Sequence, residues 1–206
     1  MADHKITALR KQRGSLYVVE REDEPTVELD RRTLDENGIA VGSELTDAEW
    51  EMLCALSAAN RCRERALWLL SQRDYSRREL ERKLRDVADR EQAARTADRM
   101  VELGLVNDGR YAERLAREYC LVRRYPARRA AQKMMEKGLS REVIELALET
   151  VSADDVQQAL AHLKKLCYTD TDNEETRRKL RDKLVRYGFS YETVKTAVRL
   201  LEEEGI

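Results

Sequence analysis

Hydrophobic positions along this 206-residue chain fall into two regimes. Over the first 45 residues polarity alternates: Ile6, Ala8, Leu16 and Val18 sit in short runs broken by Arg13-Gly14-Ser15, and Thr26 to Asp30 alternates again after Glu24-Pro25. A side-chain period of two with turn residues between predicts three short antiparallel strands. Such a sheet is too small to stand alone and must pack on the helical part of the chain. Asn37-Gly38 and Gly42-Ser43 punctuate the passage out of it.

From residue 45 onward the period changes. Leu80, Leu84 and Val87 lie at i, i+4, i+7, the stripe of an amphipathic helix. Helix-start signals recur with it. Leu45-Thr46-x-x-Glu49-Trp50 and Tyr75-Ser76-x-x-Glu79-Leu80 read as capping boxes with hydrophobic staples. Ser140, Ser152 and Ser190 each lie between two apolar residues at the same staple spacing, where a serine hydroxyl accepts a bond from an otherwise unpaired N–H. Pro126 suits a first turn, and Gly104, Gly138 and Gly188 stand where helix C-termini need a left-handed residue. Helices are predicted over 46–57, 60–71, 76–87, 90–103, 108–122, 126–137, 140–149, 152–167, 173–187 and 190–204.

These helices repeat. Leu80, Ala130 and Leu180 are 50 residues apart, as are Leu84, Met134 and Leu184, and Ala97, Ala147 and Ala197. A period of this length marks a tandem array whose units are too small to hide their apolar faces alone. The expected fold is mainly α, three tandem three-helix repeats in an elongated array with a small N-terminal antiparallel β-sheet extension. The expected divisions are an extension over 1–58 ending in a helix, then repeats over 59–106, 107–150 and 151–206.

Composition narrows the function classes. With 38% charged residues and only 8 Gly and 2 Pro, most of the chain cannot be all-β, while 42% apolar residues supply a real core. The longest aliphatic or aromatic run, Ala66 to Leu70, falls far short of the roughly 20 residues of a membrane span. Met1 to Arg13 carries charge where a signal peptide is apolar. Cys54, Cys62, Cys120 and Cys167 form no C-x-x-C pair and read as small buried hydrophobes, so a reducing cytoplasm is expected.

Catalytic candidates are thin. Of the two histidines, His4 lies in a fraying terminus and His162 within a helix, and no nucleophile elbow, Walker loop, zinc-binding HExxH or dinucleotide fingerprint is present. Asp154-Asp155 and Asp170-Thr171-Asp172 stand at helix starts, where carboxylates complement the dipole, and read as caps before metal ligands. The chain is expected to be no enzyme, with no catalytic residue, metal or cofactor.

Net charge is only −1, but the basic residues cluster. Residues 110–133 hold eight Lys/Arg against Glu113 and Glu118, and Arg77-Arg78, Arg128-Arg129 and Arg177-Arg178 recur at near-50 spacing, each at the start of a unit's second helix. Guanidinium forks match phosphate and carboxylate geometry, so a row repeated every unit makes a binding lane. Its candidate members are Arg77, Arg78, Arg82, Arg123, Arg124, Arg128, Arg129, Lys133, Arg177 and Arg178. The residues alone leave open whether the lane meets nucleic-acid phosphate or an acidic protein groove.

Four segments carry a family pattern: S-Q-R-D-Y-S-R-R-E-L-E-R-K-L (Ser71–Leu84), L-G-L-V-N-D-G-R-Y-A (Leu103–Ala112), R-R-A-A-Q-K-M-M-E-K-G-L-S (Arg128–Ser140) and R-K-L-R-D-K-L-V-R-Y-G-F-S-Y-E-T-V (Arg178–Val194). Their order and spacing resemble the RecX family of bacterial regulators of the RecA recombinase, and Gly38–Thr46 looks like the N-terminal extension of some members. The resemblance implies a non-enzymatic, monomeric modulator lying in the groove of the RecA–DNA filament. It would restrain filament assembly, ATP hydrolysis and strand exchange in homologous recombination, DNA repair and the SOS response. Partners implied are the RecA filament and single-stranded DNA, weakly or through the filament, and no membrane. One departure is Val87-Ala88, where the later units have Lys137-Gly138 and Tyr187-Gly188. A competing reading is a direct DNA binder built from helix-turn-helix-like modules. Against it, residues 140–149 carry one Arg and three Glu, a poor match to a groove.

Overall fold

The computed structural model describes residues 3–22, 24–151, 154–166 and 173–203. Ser152, Cys167 and Asp170-Thr171-Asp172 lie outside the described residues. The chain is mainly helical with a small N-terminal antiparallel sheet, and it divides into two compact units, residues 1–106 and 107–206.

In the first unit β1 (Asp3–Lys11), β2 (Leu16–Arg21) and β3 (Glu24–Asp30) are the expected strands. A fourth, β4 (Glu44–Thr46), was not expected and pairs antiparallel with β1, giving the order β3-β2-β1-β4. Its register places His4 opposite Leu45, so His4 belongs to a paired strand and not to a fraying end. Three residues are too few to show alternation, which is why the pattern missed β4. Also unexpected is the short helix α1 (Arg31–Glu36), capped by the Asp30 side chain on the Thr33 N–H.

Helix α2 (Asp47–Gln72) runs unbroken for 26 residues where two helices, 46–57 and 60–71, were expected. Its start is as read: Thr46 and Glu49 form a reciprocal capping box. Two polar residues at the expected gap turn inward. Ser57 Oγ accepts from the Asp30 N–H at 2.9 Å, and Asn60 Nδ2 donates to Thr33 Oγ1 at 3.0 Å. Both residues are buried, so these bonds weld sheet to helix and spare buried polar groups the cost of having no partner. The expected division at residue 58 therefore lies inside one helix. Ile6, Val19, Leu29, Trp50 and Leu53 form the core between them.

Helix α3 (Arg77–Leu84) is shorter than the expected 76–87. With Val87-Ala88 in place of Lys-Gly, no residue takes the left-handed C-terminal conformation, and the Val87 and Ala88 N–H groups both return to the Leu84 carbonyl. Ser76 caps the Glu79 N–H, and the Glu79 carboxylate takes a two-pronged bond from Arg73 at 2.8 and 3.0 Å. Helix α4 (Arg90–Glu102) packs on α2 and α3 around Cys62, Ala66, Leu80, Leu84 and Met100.

The second unit holds α5 (Asp108–Arg117), α6 (Ala127–Glu136), α7 (Arg141–Glu149), α8 (Asp155–Lys165), α9 (Glu174–Tyr187) and α10 (Tyr191–Glu203). Beyond α5 the chain continues in a π-helical turn, Glu118–Val122, where one long α-helix was expected. The wider turn closes with Arg124 at φ +53°, its carbonyl accepting from His162 Nε2 on α8 at 3.2 Å. Helix α8 is capped by Asp154, the role expected of it. Leu84, Met134 and Leu184 are each at most 2% exposed, and Ala97, Ala147 and Ala197 at most 3%, so positions 50 apart fill equivalent buried places.

Candidate functional site

Each arginine pair divides between two jobs. Neighbouring residues on a helix point about 100° apart, so both members of a pair cannot face one lane. In the first pair Arg77 is held between α3 and α4, its Nε on Asp98 at 2.6 Å and a terminal nitrogen on Glu81 at 2.7 Å. The hydrogen bond to Asp98 raises the Arg77 pKa and lowers that of Asp98, marking a tight structural tie. Arg78 beside it is exposed and, among the described residues, makes no hydrogen bond or ion pair.

In the second pair the roles reverse in sequence order. Arg129 is half-buried, donating to the Tyr187 carbonyl at 2.9 Å, with its guanidinium 3.9 Å from the centre of the Tyr187 ring and 4.6 Å from that of Tyr125. Tyr119 stacks on Tyr125, and Tyr187 meets His162 and Phe189. Burial raises the Tyr187 hydroxyl pKa first, with the Tyr125 hydroxyl adding to the shift. Gly188 admits this contact: at φ +121° it tolerates a backbone that side chains rarely adopt, and a Cβ there would lie 3.1 Å from that of Arg129. Arg128 is exposed and without a partner among the described residues. In the third pair Arg177 is half-buried, while Arg178 is exposed and unpartnered among the described residues.

The outward members are thus Arg78, Arg128 and Arg178, which stand 50 residues apart in strict register. Arg82 is likewise exposed and unpartnered among the described residues. Arg123 folds onto Glu118 at 2.6 Å, and that hydrogen bond raises its pKa. Arg124 is exposed, while Lys133 reaches Glu136 at 2.7 Å. Within the second unit Arg128, Gln132, Lys133 and Arg186 line one groove of about 390 Å³, walled by Tyr187 and Gly188. The structure therefore brings Arg128, Arg129 and Lys133 together, with Arg129 forming the wall.

Arg186 and Gln132 were not anticipated. Arg186 has no arginine counterpart 50 residues earlier, where Glu136 stands, so the repeat gave no signal for it. Among the described residues its guanidinium bonds only to the Asp182 carbonyl, at 3.4 Å through Nε, which leaves its outer nitrogens available to the groove. A planar fork opposite a second arginine suits a phosphate or carboxylate oxygen pair.

Comparison with known proteins agrees with this architecture. A family model described as "RecX, second three-helix domain" matches residues 107–148. The Regulatory protein RecX of Stenotrophomonas maltophilia is 32% identical over 139 residues, covering 66% of this chain and 84% of that protein. The chain belongs to the RecX family. Its relative from Halorhodospira halophila is 30% identical over 151 residues and 92% covered, and the Lactococcus lactis RecX aligns with 97% of this chain at 27% identity. Two crystal structures share the fold: one of a regulatory protein RecX (TM-score 0.66, 17% identity, 95% of this chain and 99% of that one) and one of RecX from Lactobacillus salivarius (TM-score 0.62, 23% identity, 70% and 97%). The relatives are named as regulatory proteins, and among the described residues no helix is long and apolar enough to cross a membrane.

Proposed function

We propose that this RecX-family chain is a non-enzymatic, cytoplasmic regulator of the RecA recombinase, acting as a monomer and without a cofactor. It binds the RecA–DNA filament and restrains ATP hydrolysis, filament growth and strand exchange. Three helical repeats, over residues 59–106, 107–150 and 151–206, present one outward arginine each. The observation that carries this reading is the set Arg78, Arg128 and Arg178, exposed, unpartnered among the described residues and in strict 50-residue register. A repeated cation with no internal partner is available to a partner that itself repeats. The direct DNA-binding reading is the weaker one, because helix α7 carries Glu142, Glu145 and Glu149 on what would be a recognition helix.

The test is RecA's ATPase and strand exchange on single-stranded DNA with the wild type and with Arg78→Glu/Arg128→Glu/Arg178→Glu. Exposed helix positions accept charge changes within about 0.5 kcal/mol, so the variant stays folded. Inhibition is expected to fall in a protein of unchanged helicity. Full inhibition by the folded variant removes the lane from the mechanism.

A further inference from the structure

The cleft between the first and third helices of the first repeat is the counterpart of a cleft in the second. Ala59, Arg63, Arg95, Thr96 and Arg99 line the one between α2 and α4. Fifty residues on, Gly109, Glu113, Leu146 and Glu149 line the one between α5 and α7, with Glu145 in the register of Arg95. In both repeats the first and third helices pack on each other, and Ala97 and Ala147 are buried at matching positions. Each arginine of the first cleft has a glutamate 50 residues on, and two of these, Glu113 and Glu149, line the second cleft. Packing therefore does not dictate these charges, since one scaffold carries either sign. The third repeat has Lys195 and Arg199 but buried Leu163 opposite them.

We propose that the α2–α4 cleft is a phosphate-binding site. It is an open cleft of about 190 Å³, and its lining residues include three arginines and no carboxylate. Arg63 has no hydrogen-bond or ion-pair partner among the described residues. Arg95 pairs with Glu91, and Arg99 with Glu102 at 2.8 Å, each on its own helix and solvent-exposed, so these pairs yield readily to a doubly charged ligand. Beside Ala59 and Met100 the lining carries two fixed polar side chains: Thr96, 5% exposed, accepts from Gln92 Nε2 at 3.1 Å, and Asn60, 8% exposed, donates to Thr33 Oγ1. Three forks around one small cleft favour a tetrahedral oxyanion, which offers oxygens in several directions, over a single planar carboxylate. Free phosphate and the phosphodiester of single-stranded nucleic acid share that chemistry.

The test needs no RecA, so it succeeds or fails independently of the regulatory reading. Fluorescence anisotropy with labelled oligothymidylate compares the wild type, Arg63→Gln/Arg95→Gln/Arg99→Gln and the corresponding triple Glu variant, which carries the second repeat's own charges. Melting curves check folding and read the rise in Tm caused by inorganic phosphate. Oligonucleotide affinity at low salt is expected to fall by roughly tenfold or more, and the slope of log K against log salt by about 2 for three lost single-strand contacts. A loss of the phosphate-induced Tm rise with unchanged oligonucleotide binding would keep the site and identify free phosphate as its source. If neither ligand distinguishes the folded Gln variant from the wild type, the site does not exist. Polyglutamate binding as strong as oligothymidylate, and equally lost in the variants, would overturn the phosphate assignment in favour of acidic protein.

Discussion

Leu84 and Met134 occupy matching buried places in α3 and α6, as do Ala97 and Ala147 in α4 and α7. Yet where the first repeat has Arg63, Arg95 and Arg99, the second has Glu113, Glu145 and Glu149 at the same register positions. Helices α2 to α4 and α5 to α7 thus share what is inside and oppose each other in what a partner meets. Burial fixes apolar volume because a cavity or clash costs several kcal/mol, whereas an exposed charge costs the fold little. Where equal scaffolds carry unequal charge, the charge reports on the surroundings of each unit.

The buried half of that comparison gives the largest expected effect. Leu84→Ala, Met134→Ala and Leu184→Ala should each lose about 2–5 kcal/mol in chemical denaturation, the cost of a core cavity. Near-neutral results at all three would end the claim that these places are equivalent.

Next comes the division within an arginine pair. Arg129→Ala removes a hydrogen bond and a cation held between two tyrosine rings, so it should cost about 1–3 kcal/mol. Arg128→Ala should stay within about 0.5 kcal/mol. Equal costs in thermal denaturation would mean that the pair is not divided between wall and surface.

Smallest is a contrast in pH response. Hydrogen bonds from Arg85 and Arg77 hold the Glu81 carboxyl below the usual carboxylate range, so its stabilisation is present above the ordinary value and is lost as pH falls through the lowered one. Burial pushes Asp155 up, against the bond it accepts from the Ala127 N–H, so its contribution is complete below the ordinary value and declines as pH rises through the raised one. Glu81→Gln should therefore cost more at neutral pH than in acid, and Asp155→Asn more in acid than at neutral pH. Melting temperatures of both variants across that range check the signs, and parallel curves would contradict them.

Much of the fold was legible in the sequence, for identifiable reasons. Thr46, Ser76, Ser140 and Ser190 cap as read because capping is local chemistry carried by one side chain and the turn after it. The break expected near residue 58 failed because Ser57 and Asn60 found partners on β3 and α1, an event that no local pattern encodes. At the site, the near-50 recurrence of arginine pairs was visible. Which member faces out was not, because it depends on Tyr125, Tyr187 and the missing side chain of Gly188 closing around Arg129. The charge opposition lay in the sequence, but only the fold places Arg63 and Arg99, and Glu113 and Glu149, at a cleft between a repeat's first and third helices.

That opposition is open to one direct experiment: transplanting the arginines forward with Glu113→Arg/Glu145→Arg/Glu149→Arg. The expected result is a folded protein whose second cleft now binds phosphate, seen as a second set of inorganic-phosphate-dependent shifts in amide NMR spectra at α5 and α7, with the shifts at α2 and α4 retained. A folded variant whose α5 and α7 resonances ignore phosphate would contradict the equivalence of the two clefts.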